Sequence, residues 1–272
     1  MQSKRRQEIR IKADDFREKC KVSRYGIIDL FKECDRYGYK LLRYPNGTNG
    51  DLGFALKKDK DIIIYTNSNS RLSREIFTLA HEIGHIILHM ENTASFIDND
   101  MTISEKNTDE KEQEANYFAA CLLMPKDVVD KFFDLELENY RDEKISIMDI
   151  ARIMSEFSVS FEMALNRLET LGKISYDEKV IFDNEKNIMR VGNLLKCVGG
   201  NSKLNIPSCE TYIPYEYIDY VIYNYNHNAI PRETLEKVLS CYNLVVDDIS
   251  DRLKKPIDIE DDLDELIGGL KD

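Results

Sequence analysis

One predicted helix of this sequence carries two histidines a single turn apart. Across residues 71–90 apolar side chains recur at helical intervals, and residues 67–70 offer several N-caps just before them. Within this stretch residues 81–85 read HEIGH, which places His81 and His85 at positions i and i+4. The two imidazoles share one helical face about 6 Å apart, so both can bind one ion at roughly 2 Å. This spacing predicts a zinc site, with Zn²⁺ as the cofactor.

The residues beside the histidine pair have different geometry. Glu82 points about 100° round the helix from His81, so it does not complete the same ligand set. It is instead placed to hold a water at an open coordination position and to act as a general base. His89 continues the row, but it lies about 12 Å from His81 along a straight helix axis, too far to bind the same ion. The third ligand must therefore come from another element.

A second strong helix, predicted at residues 109–124, is the best source of that ligand. Its Glu112 and Asn116 lie on one stripe, whereas Glu114 lies on another face. In such a pair the carboxylate can bind the metal, and the amide one turn later can hydrogen-bond one of the ligands. An acid in the first turn of a helix is also favoured by the helix dipole alone. Beside the histidine pair, the pattern favours Glu112 as the third ligand.

The rest of the chain predicts a mainly helical α+β fold. Helices fill most of residues 9–37, and short apolar segments at 39–44, 52–57 and 61–66 predict a small antiparallel sheet. Two stretches, 150–168 and 235–253, resemble each other after a shift of 85 residues, and each reads as helix, turn, helix. They are either converging amphipathic hairpins or a duplicated unit.

Three domains are predicted from this pattern. Residues 1–130 form the metal-binding core, and residues 131–174 form a helical segment that resembles a helix-turn-helix. Residues 175–272 are predicted to form an additional α/β C-terminal domain, because residues 179–209 look like strands and glycine-rich turns.

Charge and composition exclude several classes of protein. A net charge of −12 disfavours wholesale binding to nucleic acid or an anionic membrane, although residues 1–43 alone carry +6. No apolar run is long enough to span a bilayer, and no apolar segment follows the basic start to make a secretory signal. We therefore expect a cytoplasmic protein. Six cysteines without a CxxC pair predict reduced thiols.

The two motifs together resemble a known family. Residues 77–89, FTLAHEIGHIILH, and residues 112–125, EQEANYFAACLLMP, are similar to the motifs of the ImmA/IrrE family of bacterial and phage metallo-endopeptidases. The resemblance covers about residues 20–172 and implies a zincin-like core. It also implies that His81, His85 and Glu112 bind zinc and that Glu82 is the catalytic base.

The resemblance further implies a substrate. Family members typically cleave, or act against, a helix-turn-helix repressor, which releases phage, mobile-element or stress-response genes. We therefore expect a protein partner of this kind. The resemblance says nothing about the residues after about 175.

An alternative is a regulator that does not cleave, either antitoxin-like or a protein-binding or DNA-binding module, in which the zinc site is only structural. Residues 146–173 hold three basic against four acidic side chains, and residues 232–255 hold five of each. A recognition helix normally carries a basic excess for phosphate contacts. We therefore expect no direct contact with nucleic acid. The oligomeric state is left open.

Two further expectations concern tyrosine. The oxyanion of a peptidase reaction needs a donor, and Tyr117, Tyr65 and His227 are candidates among which the sequence does not choose. Six tyrosines between Tyr212 and Tyr225 are more than a small core buries with every hydroxyl satisfied. They favour a module that docks a protein over a domain that only packs.

Overall fold

The computed structural model describes residues 1–48, 50–58, 60–90, 95–97, 110–137 and 145–254. The chain divides into two compact units, one ending at Tyr212 and one beginning at Ile213. Among the described helices, none combines the length and the apolar character needed to cross a bilayer.

The first unit is mainly helical, as predicted. Its helices are α1 (Ser3–Glu18), α2 (Leu30–Arg36), α3 (Leu72–His89), α4 (Glu110–Leu123), α5 (Lys126–Glu136), α6 (Ile147–Phe157), α7 (Phe161–Thr170), α8 (Tyr176–Met189) and α9 (Val191–Cys197). A 3₁₀ turn, Ser202–Asn205, follows α9. The strands are β1 (Lys40–Tyr44), β2 (Gly53–Lys58), β3 (Asp61–Asn67) and β4 (Ser95–Ile97).

The strands form one mixed sheet in the order β1-β3-β2-β4. β2 is antiparallel to β3 and to β4, whereas β1 is parallel to β3. The prediction of an antiparallel sheet was therefore wrong at β1. The physical reason is that β3 lies between the first two strands, so the chain passes from β1 to the far side of β3 before β2 begins.

Helix α3 lies at the centre of the first unit. It packs against α4 and against the sheet through β2 and β3, and α1 packs against α4 and α3. The stripe predicted from periodicity supplies the core contacts, since Leu79, Ile83 and Met90 are fully buried. Burying side chains of this size stabilises the fold by about 1.5–3 kcal/mol each. The helix that carries the histidine pair is therefore held from several sides.

The predicted helix-turn-helix-like segment corresponds to α6 and α7. The turn between them places Ser158 in the left-handed region, with φ 56°. In the second similar stretch Asn243, the residue 85 positions later, has φ 57°. The two hairpins thus end their first helices with the same backbone turn, although the following segment is α-helical in the first and 3₁₀ in the second.

Residues 179–209 differ from the prediction of strands and glycine-rich turns. A capping box, in which the Ser175 hydroxyl accepts from the Glu178 amide and the Glu178 carboxylate accepts from the Ser175 amide, starts α8. The apolar run at 180–182 therefore lies on a helix. Leu194, Leu195 and Leu204 are fully buried in the main core. For this reason the chain divides after Tyr212 and not after residue 174.

The second unit contains α10 (Tyr215–Asn226), α11 (Arg232–Cys241) and a 3₁₀ segment, Val246–Arg252. Its described residues, 213–254, include no strand, so the α/β prediction was wrong for this part. The unit has a small core of its own, formed by Val221, Ile222, Leu235, Leu239 and Ile249.

Candidate metal centre

The two histidines of α3 meet as the spacing predicted. The Nε2 atoms of His81 and His85 lie 2.9 Å apart, and their rings meet edge to face with centroids 4.6 Å apart. Both side chains are buried. Because each residue stands one turn from the other, the helix alone fixes this approach.

Helix α4 brings a carboxylate to the same point. Glu112 Oε2 lies 3.1 Å from His81 Nε2, and Glu112 Oε1 lies 2.9 Å from His85 Nε2. One ligand atom from each of the three residues falls within 4.8 Å of the others. The structure therefore brings together the three residues that the sequence suggested.

Gly84 allows the two helices to approach this closely. A Cβ atom added at Gly84 would lie 3.1 Å from Phe118 Cδ1 and 3.2 Å from backbone atoms of Ala115. Few real Cβ contacts are that short, so a larger residue would push α4 away from α3. The small residue inside the HEIGH motif thus sets the distance from Glu112 to the histidines.

Asn116 orients one of the histidines. Its Oδ1 lies 3.0 Å from His81 Nδ1. Since an amide oxygen only accepts, the His81 Nδ1–H donates to it. Nε2, the atom that faces Glu112 and His85, is therefore the ring nitrogen that is placed to bind a metal. The acid and the amide one turn apart on α4 thus both contact the histidine pair.

Glu112 is held ionised. Burial opposes its ionisation, but hydrogen bonds from His81 and His85 outweigh burial and lower the pKa of Glu112 to about 2. The cluster thus offers one carboxylate and two imidazole nitrogens in a buried setting. This donor set is one that zinc and similar transition metals accept, and three protein ligands leave a coordination position for a reactant. The residues present fit a metal ion.

Glu82 lies on α3, the helix that carries His81 and His85, and it is buried beside the start of β2. A Cβ atom at Gly53 would lie 3.7 Å from Glu82 Cγ and 2.4 Å from Thr78 Cγ2. Only a glycine lets the backbone of β2 pass this close to α3. Sequence reasoning missed Gly53, because its turn-rich surroundings, PNGTNGD, gave an ordinary reason for a glycine.

His89 and Glu114 lie next to the cluster and not in it. The ring of His89 is 5.5 Å from that of His85, and its Nε2 is 3.9 Å from Glu114 Oε2. Burial lowers the pKa of His89. Glu114 accepts two hydrogen bonds from Arg5, at 2.7 and 2.6 Å. Hydrogen bonding to Arg5 lowers the pKa of Glu114. Both residues thus have structural partners.

The three candidates for an oxyanion donor lie in different places. The Tyr65 hydroxyl is 3.5 Å from the Tyr44 carbonyl oxygen, and its ring stacks on Phe54. Tyr117 is half-buried on α4, and burial raises its pKa. His227 belongs to the second unit, at the end of α10.

A helix-borne histidine pair joined by a glutamate from the next helix defines a metallopeptidase-type centre. The comparison with protein families agrees with this class. Residues 34–169, half of the chain, match the family model Peptidase_M78, the IrrE N-terminal-like domain, and the chain belongs to this family. The match spans the elements from the end of α2 to α7, including every residue of the centre. None of the curated proteins compared with the chain matches it.

Proposed function

We propose that this chain is a zinc-dependent endopeptidase. His81, His85 and Glu112 would hold the zinc, and Glu82 is its general base. One observation carries the proposal: the buried side chains of His81, His85 and Glu112 come together at one point. The two histidines lie on the helix that also bears Glu82. Membership of a metallopeptidase family supports it.

The roles of the residues follow from their chemistry. When bound, zinc supplies Lewis-acid polarisation of the scissile carbonyl. Glu82 accepts a proton from the attacking water as the new C–O bond forms, and it then gives this proton to the leaving amine as the C–N bond breaks. Glu112, ionised, offsets the charge of the metal, and Asn116 keeps His81 in the tautomer that presents Nε2.

We propose a helix-turn-helix repressor as the substrate, on the strength of the resemblance to ImmA/IrrE proteins. The competing idea, that the chain itself reads DNA through α6 and α7, is disfavoured by its contacts. Arg167 is buried and donates to the Met124 carbonyl at 2.9 Å. The other two basic residues of this segment pair with acids, Arg152 with Asp149 and Lys173 with Asp130. Side chains engaged in this way offer little to phosphates.

Glu82→Gln separates cleavage from metal binding. The amide is nearly isosteric but does not accept the proton of water, so we expect turnover to fall by about 100-fold to 10,000-fold. The assay incubates the full chain with the helix-turn-helix protein encoded beside its gene and follows fragments by mass spectrometry. Metal content of the variant should equal that of the parent.

The controls of this assay are a chelator and its reversal. Chelation should stop the parent enzyme, and added zinc should restore it. Unchanged turnover in Glu82→Gln would end the peptidase proposal. An intact partner that nevertheless forms a stable complex would favour the regulator that binds without cutting.

A further inference from the structure

Helix α10 of the second unit has one buried face. Ile218, Val221, Ile222 and Tyr225 contact the small core of that unit, and Val221 and Ile222 are the most buried. Their spacing of i, i+3, i+4 and i+7 places them on one side of the helix. This face holds the unit together.

The opposite side of α10 carries a polar and aromatic stripe. Glu216, Tyr220, Tyr223 and His227 follow at i, i+4, i+7 and i+11, which at 100° per residue is about half a turn away from the buried face. We call these four residues the α10 outer face. Tyr220 is 50% exposed and Tyr223 is 62% exposed. Large aromatic side chains are unusual on a surface that meets only water.

Two rings of the outer face are ordered by each other. The Tyr223 and His227 ring centroids lie 4.0 Å apart, and His227 Nδ1 lies 2.7 Å from the Tyr223 carbonyl oxygen. Nδ1 therefore donates to that carbonyl and fixes the imidazole against the phenol ring. A surface whose side chains are ordered before binding loses less conformational entropy when a partner arrives.

The charge of this region selects the kind of partner. From residue 213 to residue 231 the chain contains Glu216 and Asp219 but neither lysine nor arginine; Asp219 pairs with Arg252, and Glu216 is the carboxylate of the outer face. Tyrosine faces attract cationic side chains, and carboxylates pair with them. Nucleic acid and anionic lipid, by contrast, would be repelled. The complementary surface is therefore a protein segment rich in lysine and arginine.

We propose that the α10 outer face docks a basic segment of the protein substrate. This inference rests on the proposed function and deepens it, because a DNA-binding repressor carries the basic residues that contact phosphates. The second unit then selects the protein, and the metal centre of the first unit cuts it.

The first test measures binding to the full chain without any cleavage. The probe is a fluorescein-labelled 20-residue helical peptide with lysine and arginine along one face, and its counterpart has glutamate at those positions. Fluorescence anisotropy should show binding of the basic peptide alone, weaker at high ionic strength. Equal binding of the two peptides would overturn the proposal.

The double variant Tyr220→Ala/Tyr223→Ala should weaken binding of the basic peptide at least tenfold. The matched control is Tyr215→Ala, which removes a 74% exposed tyrosine of the same helix about 110° away from the outer face. The control should bind as the parent does. Circular dichroism checks folding, and exposed side chains of this kind contribute little to stability. Equal weakening in both variants would contradict a specific outer face.

Cleavage of the neighbouring helix-turn-helix protein separates the two proposals. If both hold, the double variant raises KM at least tenfold and leaves kcat unchanged. Cleavage by the parent with an unchanged KM in the variant would overturn docking and keep the peptidase. Specific peptide binding without any cleavage would keep docking and overturn the peptidase. Loss of a dimer in the double variant would show a second copy, and not the substrate, as the occupant.

Discussion

At the scale of single residues, two glutamates two positions apart in α4 have different partners. Glu112 meets His81 and His85, whereas Glu114 pairs with Arg5 of α1. Helical periodicity alone was enough to separate them, because residues two apart differ by about 200° around the axis. The partner of Glu114 was not predictable, since Arg5 is 109 positions away in the sequence.

This difference predicts the outcome of two matched substitutions. We expect Glu112→Gln to remove most of the bound zinc, because a neutral amide binds the ion far more weakly than a carboxylate. Glu114→Gln should keep stoichiometric zinc, because it removes only the ion pair with the partly exposed guanidinium of Arg5. Metal analysis of the purified variants checks this, with His81→Ala as the reference for loss. The reverse order would mean that the ligand stripe is misassigned.

The lowered pKa of Glu112 predicts a dependence of stability on pH. Its pKa is about 2 in the folded chain, against an ordinary value of 4.5. A group whose pKa is lowered by folding stabilises the folded state above the ordinary value and loses that effect as pH falls toward the folded value. The metal-free protein should therefore lose stability through this group between about pH 4.5 and about pH 2.

Urea unfolding of the metal-free protein at stepped pH measures this effect. Glu112→Gln should flatten the dependence in that window, and Glu18→Gln, a change at an exposed residue of α1, is the control. A slope in Glu112→Gln as steep as that of the parent would show that the carboxylate is not held ionised by the histidines.

At the scale of elements, long periodic helices were predictable and pairings between distant segments were not. The predicted spans 71–90 and 109–124 correspond to α3 and α4 within one residue at each end. The parallel pairing of β1 with β3 depends on how the chain crosses the sheet, and no local pattern encodes that crossing. The same holds for the approach of α4 to Gly84, which depends on both helices at once.

Gly84→Val tests the contact between the two helices. The added side chain meets Phe118 and the backbone of Ala115, so α4 must move and carry Glu112 away from the histidines. We expect a loss of about 1–3 kcal/mol in unfolding free energy from overpacking, together with weaker zinc binding. The matched control is Gly192→Ala in α9, whose added Cβ would meet Asn205 Nδ2, at 3.4 Å, and no other atom of the described residues within 4 Å. Zinc affinity equal to that of the parent in Gly84→Val would contradict this role.

At the scale of the whole molecule, residues 175–212 belong to the first unit. The segment 206–212 hydrogen-bonds to it through the backbone, since Arg43 and Tyr212 exchange bonds of 2.8 and 2.9 Å. The Arg43 side chain binds Glu75 of α3 at 2.8 and 3.0 Å and also contacts Ser208 and Glu210. Ser208 also donates to Glu75. No local sequence pattern encodes these contacts, because Ser208 and Glu210 are more than 130 positions away from Arg43 and Glu75. The boundary followed from packing and not from composition.

The boundary at Tyr212 shows where the chain can be shortened to test the role of the second unit. A chain ending at Tyr212 keeps every described buried residue of the first unit, so we expect it to fold and bind zinc. Because it lacks the α10 outer face, its KM for the helix-turn-helix protein should rise at least tenfold with little change in kcat. A chain ending at Lys173 instead loses the buried Leu194, Leu195 and Leu204 and should unfold at a lower temperature. Thermal unfolding, zinc content and steady-state cleavage of the two shortened chains and the parent measure these outcomes. If the chain ending at Tyr212 cuts its partner with the KM of the parent, the second unit does not select the substrate.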